Sequence, residues 1–167
     1  MKKKKQRRVI LKIEKSSLFD PCNNDSQLEI EGILNKYTCL KLGTFQTSNF
    51  DWIKTLSFSE NKLEILEDRV FLGLTQLTTL GLDQNEIREI KPNAFDGLDN
   101  LKELDLNNNA LTCLLPNIFV GLKKLTKLGL GNNKLKQLED GIFEGLDNLQ
   151  TLNLVRNKFN KLDKLPP

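Results

Sequence analysis

Apolar residues recur along this chain at one fixed spacing. In the stretch 101–114, LKELDLNNNALTCL, the leucines Leu101, Leu104, Leu106, Leu111 and Leu114 follow one another at steps of 3, 2, 5 and 3 residues, and Asn109 interrupts the apolar frame. The same arrangement appears 24 residues earlier from Leu77 (101 − 77) and 24 later from Leu125 (125 − 101). Further copies begin at Ile53 and Leu149. Within each copy a short apolar–polar alternation predicts a strand with one buried face, at 56–58, 80–82, 104–106, 128–130 and 152–154. So short a strand finds partners only in neighbouring copies, which predicts a parallel sheet with one strand per copy. Self-similarity at a fixed period of this length is the mark of a solenoid.

The second half of each copy carries the chain back. Phe71, Phe95, Phe119 and Phe143 recur there, each followed two residues later by Gly73, Gly97, Gly121 or Gly145. Stacked phenylalanines are expected to fill the far wall of the core. Pro92 and Pro116 favour an extended or turning return over a long helix. Asn61, Asn85, Asn109, Asn133 and Asn157 recur at one offset inside the apolar frame. Their amides are expected to satisfy backbone groups where the chain leaves the strand. Alanine at Asn109 should therefore be costly, whereas at the exposed neighbour Asn108 it should shift stability by no more than about 0.5 kcal/mol.

These residues resemble the leucine-rich repeat family, in particular its 24-residue "typical" class found in Toll-like receptor and Slit-type extracellular proteins. The resemblance runs over 53–167 and is closest over 77–148; Phe58 replaces a leucine of the motif in the first copy, and the last copy is cut short. It implies an α/β repeat solenoid: a leucine-rich-repeat horseshoe with a parallel strand per coil and a mostly irregular or short-helical convex side. It also implies protein recognition, mostly in secreted or cell-surface settings. The coils are 53–76, 77–100, 101–124, 125–148 and a partial 149–167.

Two regions precede the coils. Residues 1–15 hold eight Lys/Arg against Glu14, a net +7, so the remainder carries 17 basic and 21 acidic residues, a net −4. The first region is expected to be a disordered basic tail, with nuclear import or an anionic surface as its functional alternative. A mildly acidic body argues against nucleic-acid binding by the repeats. Residues 16–52 contain two alternating pieces, 28–33 and 37–42, expected to form a hairpin that caps the first coil. Cys22 and Cys39 fall here. The family's extracellular members usually carry a four-cysteine cap, so a Cys22–Cys39 disulfide is the partial match expected in an oxidising compartment. Cys113 is expected to be an ordinary side-wall residue.

No run reaches the roughly 18 apolar residues of a membrane span, and the apolar part of 1–13 is too short for a secretory signal. Set beside the extracellular leaning of the family, this favours a piece of a longer secreted or receptor-like protein, with an intracellular adaptor as the alternative. The incomplete last coil would leave an apolar flank for self-association.

With no histidine in the chain, histidine-dependent triads and metal sites are excluded. Stacking of the strand-face positions gathers Asp83, Glu103, Asp105, Asn107 and Asn108, a group that could hold calcium but suits an ordinary polar binding surface better. The expectation is a non-enzymatic module without cofactor that binds a protein partner on the concave strand face. The residues expected to contact it are Thr79, Asp83, Glu103, Asp105, Asn107, Lys127, Asn153 and Arg156. A structural, self-associating role is the rival reading.

Overall fold

The computed structural model describes residues 53–159 in full and the backbone of two strands ahead of them. These two are β1 (Gln27–Glu29) and β2 (Cys39–Leu40). They are followed by β3 (Thr55–Ser57), β4 (Ile65–Leu66), β5 (Thr79–Gly81), β6 (Glu89–Ile90), β7 (Glu103–Asp105), β8 (Lys127–Gly129) and β9 (Thr151–Asn153).

One strand per coil pairs with the next in a six-stranded parallel sheet, ordered β1-β3-β5-β7-β8-β9. From β3 onward the register steps by 24 residues, as in Leu56, Leu80, Leu104, Leu128 and Leu152. Each strand starts and ends one residue before the span expected from the alternation. The ladder nevertheless continues past it, because Phe58, Leu82 and Leu106 N–H each donate to the next coil's carbonyl at 2.8 Å. The chain then turns at a residue in the left-handed region: Glu60, Gln84, Asn108, Asn132 or Arg156, with φ between 51° and 59°. That corrects the expectation for Asn108. It is exposed, yet its backbone conformation disfavours a Cβ-bearing residue without a polar side chain.

The core lies between this sheet and the return segments. Leu56, Leu80, Leu104 and Leu128 point inward from the strands and are at most 2% exposed. Opposite them Phe71 stacks on Phe95, and Phe95 on Phe119, with ring centroids 6.2 and 6.0 Å apart. Phe143, in the last complete coil described, is half-buried. The return path consists of turns, and no helix occurs among the described residues, so the convex side is the irregular form. Carbonyls of Phe71, Phe95 and Phe119 accept from Leu74, Leu98 and Leu122 N–H in these turns. Gly97, with φ of 85°, supplies the left-handed step in one of them.

The asparagine ladder forms as expected. Asn85 Oδ1 accepts from Leu63 N–H of the preceding coil at 3.0 Å. Its Nδ2 donates to Phe58, Leu82 and Asp83 carbonyls at 2.9, 3.1 and 3.1 Å. Asn109 and Asn133 repeat this set one and two coils on. Each amide thus ties two coils together where neither ladder reaches.

The expected capping hairpin is not what the described strands form. β1 pairs in parallel with β3, and β2 pairs in parallel with β4 in a separate three-stranded sheet ordered β2-β4-β6. An edge strand of a parallel sheet carries unpaired N–H and C=O groups, and β1 satisfies those of β3 as any further coil would. The step is longer here: Gln27 aligns with Thr55 (28 residues) and Cys39 with Ile65 (26 residues). The basic tail, Cys22, the side chain of Cys39 and the end of the last coil lie outside the described residues, and so does the expected disulfide. Cys113 is a free, exposed thiol.

Candidate binding face

Alternation along each strand sends the leucines into the core and the residues between them to the concave side. Parallel pairing then sets equivalents side by side: Thr55, Thr79, Glu103, Lys127 and Thr151 in one row, and Ser57, Gly81, Asp105, Gly129 and Asn153 in the next. Together they line a shallow groove of about 390 Å³ across the inner face. Of the residues expected to contact a partner, Thr79, Asp83, Glu103, Asp105, Asn107, Lys127 and Asn153 all line it. Arg156 does not; it occupies the left-handed turn position after β9 and is exposed beyond the rim.

The groove has two polar ends of different character. On the side of the earlier coils, Ser57 Oγ donates to Ser59 Oγ, whose own hydroxyl donates to Asp83 Oδ1. On the other side Asn107 is a hub. Its N–H and Nδ2 donate to Asp105 Oδ1 at 2.8 and 2.6 Å. Its Oδ1 accepts from Gly131 N–H at 2.7 Å and from Asn153 Nδ2, two coils away, at 3.1 Å. This reach across the sheet depends on glycine. A Cβ at Gly129 would lie 2.8 Å from Asp105 Oδ1 and closer still to Asn107 Nδ2; one at Gly131 would lie 2.7 Å from Asn153 Nδ2. The hub was not foreseen in the sequence. Its trace there is the pair Gly129 and Gly131 on alternate positions, next to Asp105 and Asn107 one coil earlier.

Asp83, Glu103 and Asp105 outnumber the one lysine of the groove, Lys127, which donates to Glu103 Oε1 at 2.7 Å. Burial pushes the Asp105 carboxyl above the ordinary aspartate range. Hydrogen bonds from Asn107 partly oppose this, and the facing Asp83 carboxylate adds to it. Asp105 is therefore an anion held in place without a cation of its own, and it would gain from one. Among the described residues no group of three or more acidic, cysteine or histidine side chains is placed to hold a metal ion. No described helix is long and apolar enough to cross a membrane.

The stacked strands, the buried asparagine ladder and the phenylalanine spine define a leucine-rich repeat solenoid. The Leucine rich repeat family model matches residues 35–87, 75–135 and 123–164, and the chain belongs to that family. Among 211 matching solved chains, breadth that speaks for the fold rather than one function, is the crystal structure of a TLR13–ssRNA13 complex. It is 32% identical with a TM-score of 0.56, and the match covers 66% of this chain. This chain spans only 20% of the length of that one. No curated protein matches.

Proposed function

We propose that the chain is a non-enzymatic recognition module, part of a receptor-like extracellular protein, whose concave strand face binds a protein partner through a basic patch. One observation carries this reading: Asp105, half-buried in the groove with its pKa raised, is fixed by Asn107 and faces Asp83 across the sheet. A lysine or arginine brought by a partner would relieve that unfavourable charge at no ordering cost to the groove. Rigid strands supply the positioning, and the exposed Thr151, Lys127 and half-buried Thr79 and Asn153 supply polar contacts around it. The similar TLR13 structure is a complex with ssRNA13. Three carboxylates against one lysine make the present groove net −2, which disfavours a polyanion of that kind. The receptor-like, extracellular setting rests on the family and on that relative.

Selection of peptides from a random display library against the immobilised chain tests the reading. Enriched sequences should be basic, bind more weakly as salt rises, and lose binding strongly to the Asp105→Lys variant. The Lys123→Glu variant, changed on the return side, should keep it. Enrichment of acidic or neutral peptides, or damage from the return-side change alone, would overturn the proposal.

A further inference from the structure

One coil differs from its neighbours in charge. The equivalent stretches 58–74, 82–98, 106–122 and 130–146 contain six, six, no and five charged residues. At the chain's average of 28% charged, a stretch of that length would hold about five, so the third coil is the departure. The same coil exposes apolar side chains. Leu115 is 46% and Val120 50% exposed, and the third exposed large apolar residue among those described, Val155, lies elsewhere. Cys113 beside them is a free, exposed thiol. Single exposed leucines are ordinary, but an uncharged coil that leaves two such side chains open between strongly charged neighbours is not.

The charges on either side of this coil are arranged for a particular occupant. Glu86, Ala110 and Lys134 are equivalents stacked side by side, since Ala110 N–H bonds to Ile87 O and Lys134 N–H to Leu111 O, each at 2.8 Å. The row therefore runs negative, neutral, positive. Lys91, Leu115 and Glu139 form a second row that runs positive, neutral, negative. A two-fold axis lying along the uncharged coil sets each copy's stack antiparallel to the other. Glu86 then meets the other copy's Lys134, Lys91, already bonded to Glu89 of its own chain, lies opposite the other copy's Glu139, and Leu115 lies against its own equivalent. Two rows carry like charges, and in each one member is already engaged within its own chain. Arg88, opposite Lys136, is paired with Glu64, and Asp96, opposite Glu144, is paired with Arg69.

We infer that the outer wall of the 101–124 coil is a homodimer interface, closed by Leu115 and Val120 of two antiparallel copies. It shares no residue with the lining of the groove and is independent of the concave-face reading. Both faces would be usable at once, so dimerisation would present two grooves to a partner.

Sedimentation equilibrium of the full chain under reducing conditions, from about 1 to about 500 µM, tests this. The mean mass should rise from 19.1 kDa towards twice that value. Leu115→Lys, and separately Val120→Glu, should raise the dissociation constant at least about tenfold with the circular dichroism spectrum unchanged. Glu86→Lys should raise it about threefold, and adding Lys134→Glu in the same chain should restore it to within about twofold. In a Cys22→Ser/Cys39→Ser background, a short bismaleimide should trap the dimer through Cys113 and fail to do so once Cys113→Ser is added. A monomer throughout the range overturns the inference. So does a dimer indifferent to both apolar variants, or trapping that persists once Cys113→Ser is added to that background.

Discussion

The two faces of each coil follow the same 24-residue step and obey opposite rules. On the return side the recurring residues are apolar, and their spacing builds a continuous wall: Phe71, Phe95 and Phe119 stack at about one ring per coil. On the concave side the backbone repeats while the side chains change, so that Thr79, Glu103 and Lys127 occupy one register position. Backbone hydrogen bonds pair the strands whatever these side chains are, which lets them differ from coil to coil. Stability is thus concentrated in the wall and in the asparagine ladder, and the surface proposed for recognition lies in the row that neither uses. Substitutions on the two sides should separate accordingly.

The largest loss should come from the wall. Phe95→Ala removes a ring packed between two others and should cost about 3–5 kcal/mol, read as a fall in the urea midpoint. A small effect would mean that the spine is not continuous. Next is the ladder. Asn109→Ala strips the partner from the buried Ile87 N–H, at about 1–3 kcal/mol for that unpaired group, and one of two donors from Leu82 C=O, which keeps Asn85 Nδ2. Its neighbour Asn108→Ala breaks no such bond, but an alanine at φ of 54° should still cost about 1–2 kcal/mol. Equal midpoints for the two variants would remove the distinction between ladder and turn.

On the concave side the effects should be smaller and of mixed sign. Gly129→Ala pushes a methyl group against Asp105 and Asn107, and should cost about 1–3 kcal/mol by dislodging the hub. Asp105→Asn is expected to stabilise the fold at neutral pH. Because the folded-state pKa is raised, the folded chain holds that proton more tightly than the unfolded chain. Its contribution is fully present below the unfolded value and is lost as pH rises through the folded one. The gain should be small, since the group remains half open to solvent. Thermal midpoints of the two forms should therefore converge in acid and part as pH rises above the ordinary aspartate range. A variant less stable than the parent at neutral pH would show Asp105 to be a structural anion instead of one reserved for a partner.

Much of this protein was legible in its sequence because a repeat states the same fact several times. The 24-residue period fixes which residues are equivalent, so the buried leucines, the phenylalanine wall, the asparagine ladder and the strand face follow from one copy read against another. The places where tertiary structure decided the matter are those where a residue's fate depends on a neighbour that the period does not name. Local alternation in 28–33 and 37–42 suggested a hairpin, yet the strands there found distant parallel partners, because open edges were available on β3 and β4. The left-handed turns at Glu60, Gln84, Asn108, Asn132 and Arg156 carry no residue type common to all five, and the geometry of leaving the ladder imposes them. The hub at Asn107 needed two glycines from the next coil and an asparagine from the one after, a meeting that only stacking brings about. Periodicity sets what is buried, because burial repeats with the backbone. Which polar groups meet on the open face is set by side-chain size and reach across strands, and those differ from coil to coil.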